Sequence, residues 1–289
     1  MPKARPADFA SVVRQTSHPL NADLLHAFAF IENPGDALNI KDHIGSADKS
    51  LVDNGGGGWD AVNGLDVAHN HPSDSTHALD TDFTYPDQSS FTILMGIEVT
   101  EQDTVSTSRP SALLHSDVST SFTGAENNVG IMLLQDSQLP VGQTGNLVFN
   151  VGGSSGRRRV EDVPYIAGTT GLVNLALTYD YSGNSDAGLI TAQVGATQYA
   201  ENAGSGARPN NSGAGNGLPS GANLAKAQDA ASTGGFNGTY LYKYIYGRAL
   251  SQTEINSVFN DIWAPISAVD AGGGGGSILP IIQHYRNQE

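Results

Sequence analysis

The sequence predicts an all-β sandwich with one short helix near its C-terminus, and three observations carry that expectation. Apolar residues recur at every second position in several segments, most plainly at Phe91, Ile93, Met95, Ile97 and Val99, which is the period of a strand with one buried face. Glycine supplies 35 of the 289 residues while charged residues make up only 15%, a composition suited to many strands joined by tight turns. Helical spacing is convincing only once, between residues 251 and 263.

The composition also bounds function. Hydrophobic residues reach 38%, enough for a large core, and all-β domains often exceed about 200 residues. Fourteen Lys and Arg stand against 29 Asp and Glu, a net charge of −15. That disfavours attraction to nucleic-acid phosphates or anionic membranes. Cysteine is absent, so disulfides and thiolate metal sites are excluded and stability must come from burial and oligomerisation. Residues 1–17 hold no apolar run long enough for a signal-peptide core, and no segment approaches the roughly 20 apolar residues of a membrane span. The expectation is a soluble product made in a cytoplasm.

Along the chain, residues 1–19 read as an arm, with Lys3, Arg5 and Arg14 against Asp8 and with Pro2 and Pro6 opposing helix. It is either a free tail or a docking arm for an acidic neighbour. Residues 24–31 (Leu-Leu-His-Ala-Phe-Ala-Phe-Ile) read as the first strand, followed by the turn Asn33-Pro34-Gly35-Asp36. Four glycines precede Trp59 in a flexible loop. The alternating segment 91–99 is the clearest strand. Residues 129–134 and 147–151 are shorter apolar runs, the second leading into the glycine- and serine-rich turn 152–156. Val173, Leu175, Leu177 and Tyr179 alternate with polar or small residues, and 189–194 return as the hairpin partner.

Residues 201–222 are low in complexity and read as a long surface loop. Tyr240, Tyr242, Tyr244 and Tyr246 alternate with Leu241, Lys243 and Ile245 as a tyrosine-faced strand. The helix then follows: Ser251 is the N-cap with Glu254 three residues on, Leu250 and Ile255 sit at staple positions, and Ile255, Val258, Phe259 and Ile262 share a face. Ala264-Pro265 ends it. The glycines at 272–276 form a spacer before an apolar tail carrying Ile278, Leu279, Ile281 and Ile282. The expected organisation is an arm (1–19), a sandwich domain (20–265) and a spacer with docking tail (266–289).

The stretch Tyr244-Ile245-Tyr246-Gly247-Arg248-Ala249-Leu250-Ser251, followed by Glu254-Ile255, resembles the closing strand and helix of laminin-G-like, concanavalin A-like jelly rolls. Residues 172–180 are similar to the family's "aLTYDgs" strand, and His18-Pro19-Leu20 through Glu32 to its opening strand. The resemblance frames residues 18–263 and is most specific in its last part. It implies a concanavalin A-like jelly-roll β-sandwich with extended terminal arms. The variant most resembled occurs in virion proteins of tailed, especially marine, bacteriophages. It implies a non-enzymatic capsid decoration or tail-associated adhesive subunit, a homo-oligomer whose partners are capsid or tail proteins and host-surface glycans. Two alternatives stay open: a free carbohydrate-binding module and a glycoside hydrolase of the same fold. The middle departs from the family pattern, with Gln193-Val194-Gly195-Ala196 where "lYvNG" is common. Family members that bind Ca²⁺ use loop carboxylates, and no matching Asp is identified here.

Candidate chemistry is sparse. The Glu-x-Asp-x-x-Glu pattern of retaining β-glucanases, which need two carboxylates about 5–5.5 Å apart, is absent; Glu98, Glu101 and Asp103 come nearest, but Glu98 and Glu101 differ in strand parity. His69, His71 and His77 cluster with irregular spacing, as solvated loop histidines or metal ligands. Arg157, Arg158 and Arg159 follow a turn and are the best interface candidates, able to pair with carboxylates of a neighbouring copy. Lys3, Arg5 and the four apolar tail residues are the other partner-binding candidates. Trp59, Tyr242 and Tyr244 are candidates to stack on sugar rings, with core packing as the competing reading for these and for Trp263. No Ser/His/Asp elbow is identified, and neither a catalytic residue nor a metal ligand is assigned.

Overall fold

The computed structural model describes residues 19–30, 39–44, 49–50, 57–60, 64–67, 84–85, 89–102, 111–116, 129–134, 146–153, 156–165, 171–182, 185, 187–209, 223–224 and 236–266. Within them the strands in chain order are β1 (Leu24–Ala29), β2 (Asn39–Ile40), β3 (Lys49–Ser50), β4 (Gly57–Asp60), β5 (Gly64–Val67), β6 (Phe91–Gln102), β7 (Ser111–His115) and β8 (Val129–Leu134). They continue as β9 (Asn146–Gly153), β10 (Gly156–Pro164), β11 (Val173–Tyr179), β12 (Ile190–Val194), β13 (Thr197–Ala200), β14 (Ala203–Gly206), β15 (Asn223–Leu224) and β16 (Phe236–Tyr246). One helix, α1 (Gln252–Asn260), follows β16.

Two antiparallel sheets form a jelly-roll-type sandwich. The first runs β13-β12-β11-β6-β16-β5-β4, with β1 also on β16, and the second runs β14-β10-β9-β8-β7-β15. The alternation read from the sequence at 91–99 sets the middle of the first sheet: Phe91, Ile93, Met95, Ile97 and Val99 all point into the space between the sheets. There they meet Ile131 and Leu133 of β8, Leu147, Phe149 and Val151 of β9, and Val160 and Val163 of β10. This interior is filled by apolar side chains, the arrangement in which burial contributes most to stability. The expected β11–β12 hairpin is present, with Leu175 opposite Val194 and Tyr179 opposite Ile190.

The second core lies on the outer face of the first sheet. Leu94, Ala176, Leu241, Tyr242, Tyr244 and Tyr246 are covered there by Leu250, Ile255, Val258, Ile262, Trp263 and Ile266. Close approach is required at Gly96, where a Cβ would lie 2.7 Å from Cε1 of Tyr242. The capping box expected at Ser251 and Glu254 is present. Arg248 reinforces it by pairing with Glu254 at 2.7 Å, and the Tyr244 hydroxyl donates to the Ile262 carbonyl at 2.5 Å. Helix α1 ends at Asn260, earlier than Pro265 suggested, because the Asp261 N–H turns back onto Ser257 and Val258 and the chain re-forms as a short 3-10 turn, Ala264–Ile266.

The strand of tyrosines differs from its simple alternation. Pairing of β16 with β6 shifts between Tyr240 and Tyr242, an irregularity that resets which side chains face which way. Tyr240 and Ile245 therefore join the inner core, whereas Tyr242, Tyr244 and Tyr246 lie beneath the helix. Lys243, fully buried, sits with its Nζ 5.3 Å from the ring centre of Phe28, a cation–π arrangement.

Candidate functional site

Glycine- and alanine-rich residues at 203–206, read from sequence as part of a loop, are instead strand β14, paired with β10 from Gly156–Gly206 to Arg159–Ala203. The reason is local: small side chains let a backbone ladder form beside β10 without steric cost. Strand β13 borders the first sheet and β14 borders the second, so Glu201 and Asn202 carry the chain from one sheet edge to the other. Asn202 fastens this crossing, its Nδ2 donating to the Glu161 carbonyl at 2.8 Å and its Oδ1 accepting the Glu161 N–H at 2.7 Å.

A shallow, open depression of about 440 Å³ lies at this crossing, lined by Arg158, Ser185, Ala187, Glu201, Asn202, Ala203 and Gly204. Arg158 shares the strand parity of Val160 and points inward, only 5% exposed. Its Nη1 donates to the Arg157 carbonyl and its Nη2 to the Gly206 carbonyl, each at 2.9 Å. Its Nε faces Glu201 Oε1 at 3.7 Å, an ion pair too long to be a hydrogen bond. The Glu201 side chain is 9% exposed, and its other oxygen, Oε2, accepts the Leu189 N–H at 2.9 Å. Gly204 lies against this pair: a Cβ there would be 2.8 Å from Arg158 Nη1 and 3.2 Å from Glu201 Oε1.

The neighbouring wall is held by Arg208, which stacks 4.7 Å from the Tyr181 ring centre and donates to the Tyr181 and Ser185 carbonyls at 2.9 and 2.7 Å. Tyr179 donates its hydroxyl to the Pro209 carbonyl, and burial holds its phenol well above the usual tyrosine range. Beside it, Asp180 is held below the usual carboxylate range, chiefly by the Ser182 hydroxyl. The rim is therefore rigid and polar, with both charges of the Arg158–Glu201 pair fixed in place.

The sequence-derived candidates fall unevenly. Arg158 turns into its own protein rather than toward a neighbouring copy, because its parity on β10 is inward. Arg159 bonds to Asn150 at 2.8 Å and Glu161 at 3.2 Å, and Arg157 is half-buried beside them. Tyr242 and Tyr244 are fully buried under α1, so a sugar has no access to either ring in this structure. Trp59 belongs to β4, and nothing is described of its side chain. Lys3, Arg5, Ile278, Leu279, Ile281, Ile282, Asp103 and the histidines at 69, 71 and 77 lie outside the described residues. Glu98 is on the outer face of the first sheet, opposite in parity to Ile97 and Val99 and away from the interior. Residues 152–156 spell Gly-x-Ser-x-Gly, but they join β9 to antiparallel β10. A nucleophile elbow needs a strand-to-helix turn.

Sequence reading missed Glu201, and also the pair His26 Nδ1 to Asp42 Oδ2 at 2.6 Å. Asp42 further accepts the Ala27 and Ile44 N–H groups at 3.0 and 3.1 Å, which ties residues 42–44 to β1. Among the described residues no group of three or more His, Asp or Glu is arranged to hold a metal ion, and no helix is long and apolar enough to cross a membrane.

Fold and rim define the class: an all-β jelly-roll-type sandwich with a filled interior and a polar depression at one edge. No protein-family model matches the chain, and no curated protein matches it in sequence. Among solved structures, it is similar to a mutant of Trypanosoma rangeli sialidase displaying trans-sialidase activity, with a TM-score of 0.48, 14% identity, and 87% of this chain and 36% of that one covered. It is also similar to the binding domain of Paraclostridial Mosquitocidal Protein 1 (0.48, 13%, covering 85% and 53%) and that of botulinum neurotoxin serotype C1 (0.47, 14%, covering 83% and 52%). The chain spans about a third of the sialidase and half of each toxin domain.

Proposed function

We propose that this protein is a non-enzymatic recognition subunit of a bacteriophage virion, a capsid decoration or tail-associated adhesive element that works through its surface and edges. The observation that carries the recognition reading is where the polar groups gather: the space between the sheets is an apolar core, as in any β-sandwich, packed with Ile93, Met95, Ile97, Phe149 and Val151. The concavity found among the described residues is instead shallow and lies on the rim, where a partner surface or a projecting glycan reaches it. The virion assignment rests on the resemblance of the β16–α1 closure, in which Arg248, Ser251 and Glu254 act as one locking unit.

Mass spectrometry of purified particles tests this. The chain should be present at a fixed copy number per particle, and deleting residues 1–17 or 272–289 should abolish attachment. Absence from particles contradicts the virion reading, and normal attachment of the truncated chains contradicts the docking role of the arms. A free carbohydrate-binding module is the second reading, favoured by the unsaturated polar rim at Glu201.

A further inference from the structure

The geometry points to the depression at the β13–β14 crossing as a binding site for a neutral, polyhydroxylated ligand, a sugar ring whose hydroxyl donates to Oε1 of Glu201. This inference rests on the reading of the chain as a recognition module and names its ligand class and place.

The carrying observation is a mismatch in polar valency. Glu201 is about nine-tenths buried, its Oε2 is satisfied by Leu189, and its Oε1 accepts no hydrogen bond from any described residue. The nearest cation, Arg158 Nε at 3.7 Å, itself has no hydrogen-bond partner. Unlike Arg158 Nε, which is buried without a partner, this carboxylate oxygen lines an open depression that solvent reaches. A ligand hydroxyl entering there takes the place of water as its donor.

Charge decides which donor. A cationic ligand would sit beside the fixed Arg158 guanidinium, and an anionic one would meet Glu201; the pair is neutral as a whole. A hydroxyl carries no net charge and donates to the carboxylate, with its oxygen lone pairs turned toward the arginine side. The small lining residues Ala187, Ala203 and Gly204 leave room for a ring. The wall is preorganised, because Arg208 fixes the Ser185 carbonyl and the Ser185 hydroxyl accepts the Ala187 N–H at 3.1 Å. Little ordering is then required on binding.

Calorimetric titration of the full chain with glucose, galactose, mannose and N-acetylglucosamine, their oligomers, sialic acid as the anion and ethanolammonium as the cation tests the proposal. At least one neutral sugar should bind. Glu201→Gln, which removes the carboxylate charge, should weaken it about tenfold, the equivalent of one hydrogen bond to a charged group. Because Glu201 also holds Leu189, the deciding variant is Ala187→Tyr, which places a ring in the exposed mouth. It should abolish binding with an unchanged melting temperature, while the control Thr253→Tyr on α1 binds normally. Sugar binding that survives both Ala187→Tyr and Glu201→Gln would place the site elsewhere and leave the recognition reading standing. Binding of sialic acid or ethanolammonium alone, or of no probe by a chain still present in particles, would overturn the ligand class and leave the virion reading intact.

Discussion

The helix-covered face of the first sheet and the β13–β14 rim are both built of polar groups set around tyrosines, yet they end in opposite states. At the closure, the hydrogen bonds that join the helix segment to the sheet are made within the chain, and the Tyr246 hydroxyl, buried without a partner, is sealed from solvent. Arg248 bonds Glu254 and the Ala22 carbonyl, Thr92 accepts the Leu250 N–H and donates to the Arg248 carbonyl, and Tyr244 reaches Ile262. At the rim, Arg158 and Glu201 are held just as firmly, but one carboxylate oxygen is left over. Saturated polar networks make a fold rigid and specific; a fixed, unsaturated one at the surface is available for a ligand. The closure keeps the sandwich shut, and the rim is where it can recognise something.

That division is sharpened by variants that act on one region and spare the other. Trp263→Ala removes a nearly buried indole from the outer core and should cost about 3–5 kcal/mol, read as a lower denaturant midpoint. Next, Gly96→Ala forces a methyl group onto the Tyr242 ring and should cost about 1–3 kcal/mol by overpacking. Ser251→Ala removes the N-cap of α1 and should cost about 1 kcal/mol. Each of the three should leave sugar affinity unchanged at temperatures where the protein is folded. A closure variant that kept full stability but lost ligand would break the comparison.

A smaller effect is pH-dependent. The Arg248 hydrogen bond, opposed by partial burial and aided by Ser251, lowers the Glu254 carboxyl from 4.5 to about 2. A depressed folded-state pKa contributes stability above the unfolded value and loses it as pH falls toward the folded one. The stability difference between the wild type and Glu254→Gln should therefore be constant above about pH 5 and shrink between pH 4.5 and 2. A difference that does not change over that range would mean that the Arg248–Glu254 pair is not held in solution.

Much of the fold was legible because it depends on local pattern. The apolar alternation at 91–99, the β11–β12 hairpin and the Ser251–Glu254 box each specify their element within a dozen residues, and each is present. Two features were not legible for the same physical reason: they depend on what lies beside a segment rather than within it. The register shift in β16 is imposed by pairing with β6, so Tyr240 and Tyr242 fall on different cores despite their spacing. Strand β14 has no apolar face at all and exists because β10 offers it a ladder. The rim was hidden further, since Glu201 acquires meaning only from Arg158, 43 positions away in sequence, and the arginine run suggested an outward interface where the strand turns its middle member in.

Amide chemical-shift mapping of the full chain during titration with a neutral sugar identified by calorimetry tests the central claim most directly. The account predicts shifts concentrated at residues 185–189 and 201–206, with α1 and the outer core unmoved. Shifts centred on α1, or on β1 and β16 with the rim silent, would contradict it.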